Sequence, residues 1–318
     1  SGSLLYDSGR TLVYRSHRQA DGLPVILKVL RPTARDSDEV SRFQAEYACL
    51  QRLSHAGIVQ AHALLQHQQH WVMVLEDCGG EALSHVVQRC PPGAGLTPTL
   101  ALEMALQLCD ALHAVHQAGL VHRDVNPANI VWQATRHQLQ LIDFGLACPP
   151  RSDTQPGVLH EGTLAYSSPE HTGRTSHGLD HRADYYSMGV TLYQLLCGQL
   201  PFDNQDSMEL IHAHLARVPD YQHPALAALP PQLLAIVQRL LEKHPDRRYQ
   251  SMTQIKCDLL LCQPLLDEGQ TGPALPAQHG TRRGHLQLSE QLYGRDTALA
   301  QLQQSLQRCR QPHSELCL

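Results

Sequence analysis

The stretch His122-Arg123-Asp124-Val125-Asn126-Pro127-Ala128-Asn129 decides how the rest of the chain is read. It sets a carboxylate, Asp124, and an amide oxygen, Asn129, on one short loop. Nineteen residues after Asp124 stands Asp143-Phe144-Gly145, directly behind the apolar run Leu141-Ile142. Asp143 supplies a second carboxylate, and hard oxygen donors of this kind suit a divalent cation such as magnesium. Asp-Phe-Gly alone is a common tripeptide that most often marks a turn; its spacing behind the first loop is what makes it informative.

Working outward toward the N-terminus, Val25-Ile26-Leu27-Lys28-Val29-Leu30 is a β-rich run that follows the turn Ala20-Asp21-Gly22. Lys28 within it reads by itself as a snorkelling surface lysine. Eighteen residues on comes Glu46, inside a stretch whose Val40, Phe43, Tyr47, Leu50 and Leu53 recur at helical spacing. Asp36 and Glu39 form a capping-box pattern at the start of that helix. Trp71 to Leu75 is a further apolar strand, broken by Cys78-Gly79-Gly80.

Toward the C-terminus the pattern is helical. Thr97-Pro98 opens a helix with a capping hydroxyl and a proline at its first position. Leu100, Met104, Leu108, Ala111, Leu112 and Val115 form its buried stripe, and Gly119 ends it. Short strands follow at Ile130-Val131-Trp132 and Leu139–Ile142, then helices near residues 183–197, 206–216, 231–243 and 251–262. A β-rich lobe joined to a helical lobe leaves a cleft, where ligands bind most often.

Composition bounds the rest. The 318 residues are 42% hydrophobic with a formal net charge of -5, an ordinary globular balance that points to no nucleic-acid partner. No apolar run approaches the roughly 20 residues that cross a bilayer. The ten cysteines form no C-x-x-C pair and read as reduced, mostly buried thiols of a cytoplasmic protein. Among 21 histidines, none sits beside a cysteine or carboxylate pair at ligand spacing, so no metal site is read from them. Ser1-Gly2-Ser3 reads as a cloning remnant or trimmed end, not a signal peptide.

Taken together, His122–Asn129, Asp143-Phe144-Gly145 and the Lys28/Glu46 pair resemble the protein kinase family over residues 4 to 262, in the order that family requires. Gly162-Thr163-Leu164-Ala165-Tyr166-Ser167-Ser168-Pro169-Glu170 resembles the end of a kinase activation segment, with Ser168 in place of alanine. The resemblance implies a bilobal α+β fold, with a small lobe at 4–77 and a larger one at 78–262. It also implies ATP and Mg²⁺ as cofactors and a serine or threonine of a protein as acceptor. Asp124 would orient the acceptor hydroxyl, Asn129 and Asp143 would hold Mg²⁺, and Lys28, oriented by Glu46, would meet the α- and β-phosphates. Val13, Ile26 and Val131 would sandwich adenine, with Leu75 at the back of the pocket and Glu76 to Cys78 as hinge. Thr163 would contact Asp124, Glu170 would pair with Arg248, and Asp184 would brace the catalytic loop. Arg123 would pair with a phosphate on Ser152 or Thr154, or with Glu161.

Three features depart from the family. Tyr6, Ser8 and Thr11 stand where the phosphate-covering loop carries glycines, and Gly9 is one position off. Ser8 and Thr11 are small enough to donate hydroxyl hydrogen bonds to phosphate. Ile26 replaces an alanine, and Asn126 stands where a lysine contacts the γ-phosphate. These features, with Glu161–Arg174, are similar to the N-terminal kinase domain of large bacterial signalling proteins that continue into an AAA/STAND-type ATPase and sensor modules. Residues 263–290, rich in Pro, Gly and Gln, read as a linker, and 291–318, with Tyr293-Gly294-Arg295-Asp296, as the start of such a module. Two rival readings are a nucleotide-binding pseudokinase that regulates the downstream module and a small-molecule phosphotransferase of the aminoglycoside-kinase kind.

Overall fold

The β-branched run at 25–30 becomes the middle of the first sheet because it is apolar on both faces. In the computed structural model, which describes residues 2–31, 37–68, 70–91, 93–150, 161–175 and 177–268, it forms β3 (Pro24–Leu30). Around it lie β1 (Ser3–Asp7), β2 (Thr11–His17), β4 (Ala61–His67) and β5 (His70–Glu76), all antiparallel in the order β1-β2-β3-β5-β4. Central placement sets Lys28 opposite Val13 on one side and Met73 on the other. One helix, α1 (Ser37–Gln51), covers this sheet and turns Phe43, Glu46 and Leu50 inward at 3, 4 and 7-residue spacing along one face. Asp36, expected to cap it, lies outside the described residues. The Glu39 carboxylate, expected to reach back to that cap, sits 3.7 Å from Arg10 Nε.

The second lobe is helical. Its three-stranded sheet, β6 (Glu81–Ala82), β7 (Ile130–Gln133) and β8 (Gln138–Leu141), lies at the mouth of the cleft. After α2 (Leu83–Gln88), the long α3 (Pro98–Gln117) starts as read, with Thr97 Oγ1 accepting Leu100 N–H at 3.4 Å. Its stripe from Met104 to Val115 is buried, and α8 (Met252–Glu268) packs along it. Packed against α3 and α7, α4 (Arg182–Cys197) runs through the middle of the lobe, buried on nearly every side with Tyr185, Tyr186 and Tyr193. α5 (Ser207–Ala216), α6 (Pro224–Ala227) and α7 (Pro231–Leu240) complete it.

The structure moves two boundaries. The helix expected to end near residue 243 stops at Leu240, where Leu241 caps it. The last helix runs through Pro264 to Glu268, so the first residues of the expected linker at 263–290 are helical. The remainder of that linker and the expected module at 291–318 lie outside the described residues. The eight described cysteines are free thiols, and no described helix is long and apolar enough to cross a membrane.

Candidate functional site

The cleft between the lobes gathers side chains from four separate segments. Lys28 Nζ on β3 donates to both carboxylate oxygens of Glu46, at 2.7 and 2.9 Å, and to Asp143 Oδ1 at 3.1 Å. Burial opposes the Lys28 charge most strongly, yet the Asp143 and Glu46 carboxylates outweigh it and raise its pKa above the usual lysine value. The ammonium, the largest influence on Asp143, holds that carboxyl below its ordinary value. Glu46 is pushed up by burial, which the neighbouring Lys28 only partly offsets. A cation flanked by two carboxylates is thus fixed inside the cleft with its charge retained.

Asp124 is gripped from both ends of its carboxylate. Asn126 Nδ2 donates to Oδ1 at 2.8 Å and Asn129 Nδ2 to Oδ2 at 2.7 Å, and both amides also reach the Asp124 carbonyl. Burial raises the Asp124 carboxyl most, with Asp143 adding to it, while His122 and the two asparagines pull it down; the net shift is upward. Asn126 Oδ1 caps the turn by accepting Ala128 N–H at 2.9 Å. The catalytic-loop segment is joined to the Asp-Phe-Gly segment by Ile142 N–H donating to Asn129 O at 2.9 Å. Asp124, Asn129, Asp143 and Lys28 therefore share one cleft.

The loop is held from beneath by Asp184 on α4. Its carboxylate accepts His122 N–H at 2.9 Å, Arg123 N–H at 2.8 Å and His116 Nε2 at 2.8 Å. Burial works against this charge, but the His116 hydrogen bond and the loop donors win and lower its pKa. Arg123 and Asp143 both adopt left-handed backbone, at φ +71° and +60°. Such conformations cost of order 1–3 kcal/mol and survive only where surroundings impose them. Phe144, fully buried, meets the His122 ring edge-on at 4.7 Å.

The donors fit magnesium. Asn129 spends its amide hydrogens on Asp124, and Asp143 engages through Oδ1 alone; neither Asn129 Oδ1 nor Asp143 Oδ2 receives a hydrogen bond among the described residues. Two unengaged oxygens, one amide and one carboxylate, are the hard, partly charged set Mg²⁺ takes alongside phosphate oxygens and water.

The turn between β1 and β2, where Ser8 and Thr11 were expected to face phosphate, is closed by its own side chains. Ser8 Oγ accepts N–H from Thr11 at 2.9 Å and from Arg10 at 3.3 Å, and the Ser8 and Thr11 hydroxyls bond each other at 2.9 Å. Asp7 Oδ1 takes the Gly9 N–H at 2.8 Å, and Gly9 sits at φ +79°. Both hydroxyls bond within the turn. Val13, Ile26 and Val131 are half-buried, and Leu75 is buried across from Ile26. Glu76 donates its N–H to Gln60 O, and its carboxylate accepts from Gln140 Nε2 at 3.2 Å. The Cys78 thiol is pushed up by burial.

Further down, Glu170 and Arg248 form a paired, two-pronged contact at 2.6 and 2.8 Å, both side chains fully buried. Arg248 outweighs the burial that opposes the Glu170 charge and lowers its pKa. Ser168, where alanine was expected, bonds His171 Nδ1 through Oγ at 2.8 Å, which gives the substitution a reason. The side chain of Thr163 and the residues Ser152, Thr154 and Glu161 as partners of Arg123 fall outside what is described. Arg123 Nη1 meets Cys148 Sγ at 3.3 Å.

Sequence reasoning missed Gly80 and Asn126 as site residues. A Cβ on Gly80 would come within 2.7 Å of Trp132 O and of a Val131 methyl, so only glycine lets the hinge cross β7. The Gly-Gly pair was the available signal, read only as a strand breaker.

The protein kinase domain family matches residues 8–260, and the chain belongs to that family. Among curated proteins it is 35% identical over 235 residues to serine/threonine-protein kinase PkaA of Streptomyces coelicolor, covering 71% of this chain and 41% of that one. It is 34% identical over 248 residues to serine/threonine-protein kinase PknB of Mycobacterium tuberculosis, covering 74% and 38% respectively. A probable serine/threonine-protein kinase of Streptomyces coelicolor matches at 32% over 271 residues, 82% of this chain and 39% of that one. The chain thus spans about two fifths of the length of these relatives.

Proposed function

We propose that this chain transfers the γ-phosphoryl group of ATP to a serine or threonine hydroxyl of a protein, with Mg²⁺ held by Asn129 and Asp143. The observation that carries the reading is the Lys28–Glu46–Asp143 cluster, joined through the backbone to Asp124 and Asn129. Lys28, kept charged by its two carboxylates, neutralises phosphate oxygens. Asp124 orients the acceptor hydroxyl and takes its proton, a role favoured by a carboxyl whose pKa lies above the usual range. Bound Mg²⁺ supplies charge neutralisation on the phosphates. Val13, Ile26, Val131 and Leu75 form the apolar walls for adenine, with Glu76 to Cys78 as hinge. Catalysis here is positioning and electrostatics, with no covalent step by the protein.

A second reading has one observation in its favour: the Ser8–Thr11 turn caps its own N–H groups. A pseudokinase would bind nucleotide there and regulate the segments that follow. We read those segments, 291–318, as the start of an ATPase module of a bacterial cytoplasmic signalling protein, joined to a kinase domain at 4–262.

Labelled-phosphate transfer to the protein itself and to a generic acceptor separates the two. We expect incorporation on serine or threonine, abolished by Lys28→Ala and by Asp143→Asn. Tight Mg²⁺-ATP binding with no transfer would establish the pseudokinase, and equal labelling in the variants would remove these residues from the site.

A further inference from the structure

We propose that His177, His244 and Asp246 form a zinc-binding site on the helical lobe, outside the nucleotide cleft. One potential ligand atom from each residue lies within 4.8 Å of the other two. The two imidazoles meet edge-on with centroids 4.3 Å apart, and His244 Nδ1 lies 3.7 Å from Asp246 Oδ2. All three side chains are at least partly exposed, so an ion reaches them without disturbing the core.

The donor chemistry selects the ion. Two imidazole nitrogens and one carboxylate oxygen, with a water in the fourth position, are a set that zinc accepts in tetrahedral geometry. Magnesium and calcium favour all-oxygen sites, so nitrogen donors disfavour them. The carboxylate is already aimed: Arg182 Nη1 donates to Asp246 Oδ1 at 2.6 Å, which leaves Oδ2 on the side of His244. Arg182 is itself engaged by both oxygens of Asp180, so its charge is largely compensated beside the site. The present contact of His244 Nδ1, an N–H from Asp246 at 3.3 Å, is long and is readily exchanged for a metal bond.

Zinc there would tie two distant segments. His177 belongs to the connection between the Pro169–Thr172 turn and α4, and His244 and Asp246 flank Pro245 just before Arg248. The ion would therefore clamp the outside of the region whose inside is held by Glu170 and Arg248.

The test uses the whole chain, stripped of metal and titrated with zinc in competition with a chromogenic chelator, with bound metal counted by elemental analysis. His177→Ala combined with His244→Ala is expected to bind one zinc fewer per chain than wild type. It should also lose the zinc-dependent rise in melting temperature. Asp246→Asn is expected to weaken the same site by roughly tenfold or more, the scale at which even groups supporting metal ligands act. His177→Gln alone, on a side chain away from the core, gives the same readout if the double variant folds poorly. Equal stoichiometry and affinity in wild type and these variants would overturn the proposal, as would an identical response to magnesium.

Discussion

Asp124 illustrates how much one residue's chemistry depends on its immediate neighbours. Each of its carboxylate oxygens accepts one asparagine amide, and both bonds favour the ionised form against burial. Removing one of them lets burial act with less opposition. Asn126→Ala is therefore expected to raise the Asp124 pKa further and move the acidic limb of the pH–rate profile to higher pH. Transfer rate measured across pH at saturating ATP checks this; an unmoved limb would detach Asn126 from the base. The spacing of His122 to Asn129 made Asp124 and Asn129 legible because those positions define the loop. Asn126 read only as a missing lysine, since its hold on Asp124 depends on how the turn folds back, which spacing does not encode.

Among the elements, α4 matters most to the cleft because Asp184 receives both N–H groups of the loop above it. Arg123 is kept at φ +71° by that contact. In Asp184→Asn one oxygen becomes an amide that faces donors, so at least one hydrogen bond to a charged acceptor is lost, a cost of roughly 1.5–3 kcal/mol. We expect urea midpoints to fall accordingly and phosphate transfer to drop by roughly tenfold or more, since about 1.4 kcal/mol of lost positioning is a factor of ten. Wild-type transfer in this variant would remove the brace from the mechanism. Long periodic elements such as α3 were legible end to end, because an apolar stripe and a capping threonine report directly on helix. Short ones such as α2 and α6 carry too few turns to show a period. The internal bonding of the β1–β2 turn was not legible for a related reason: the same hydroxyls can serve a ligand or their own backbone, and composition does not distinguish these.

At the scale of the whole molecule, the Glu170–Arg248 pair joins parts of the chain 78 residues apart. Arg248 also donates to the carbonyls of Glu242, Arg182 and Lys243, so its guanidinium is fully engaged. Deleting one partner of a buried pair leaves the other uncompensated, at about 3–5 kcal/mol. Arg248→Ala is expected to lower stability in urea by about that amount at neutral pH. The Glu170 pKa is lowered in the folded state, so its contribution is present above the ordinary value of 4.5 and fades as pH falls through the folded one. The gap between wild type and variant should accordingly narrow below that pH, and a constant gap would show that Glu170 does not titrate in that range. The distant residues of the pair were legible because motifs marked each of them. His177 and His244 carried no motif, and only the folded chain brings their rings together.

That same pair has a consequence for how the protein is made. A ribosome delivers Glu170 well before Arg248, so every nascent chain passes through a period in which the carboxylate has no cation to meet. Burying it then would be prohibitively unfavourable, and the larger lobe must wait for its last quarter to emerge before it closes. Nascent chains stalled just short of Arg248 should be cut readily by protease between the lobe's helices, and chains released a few turns of α8 later should resist; equal resistance would mean that something other than this cation completes the lobe.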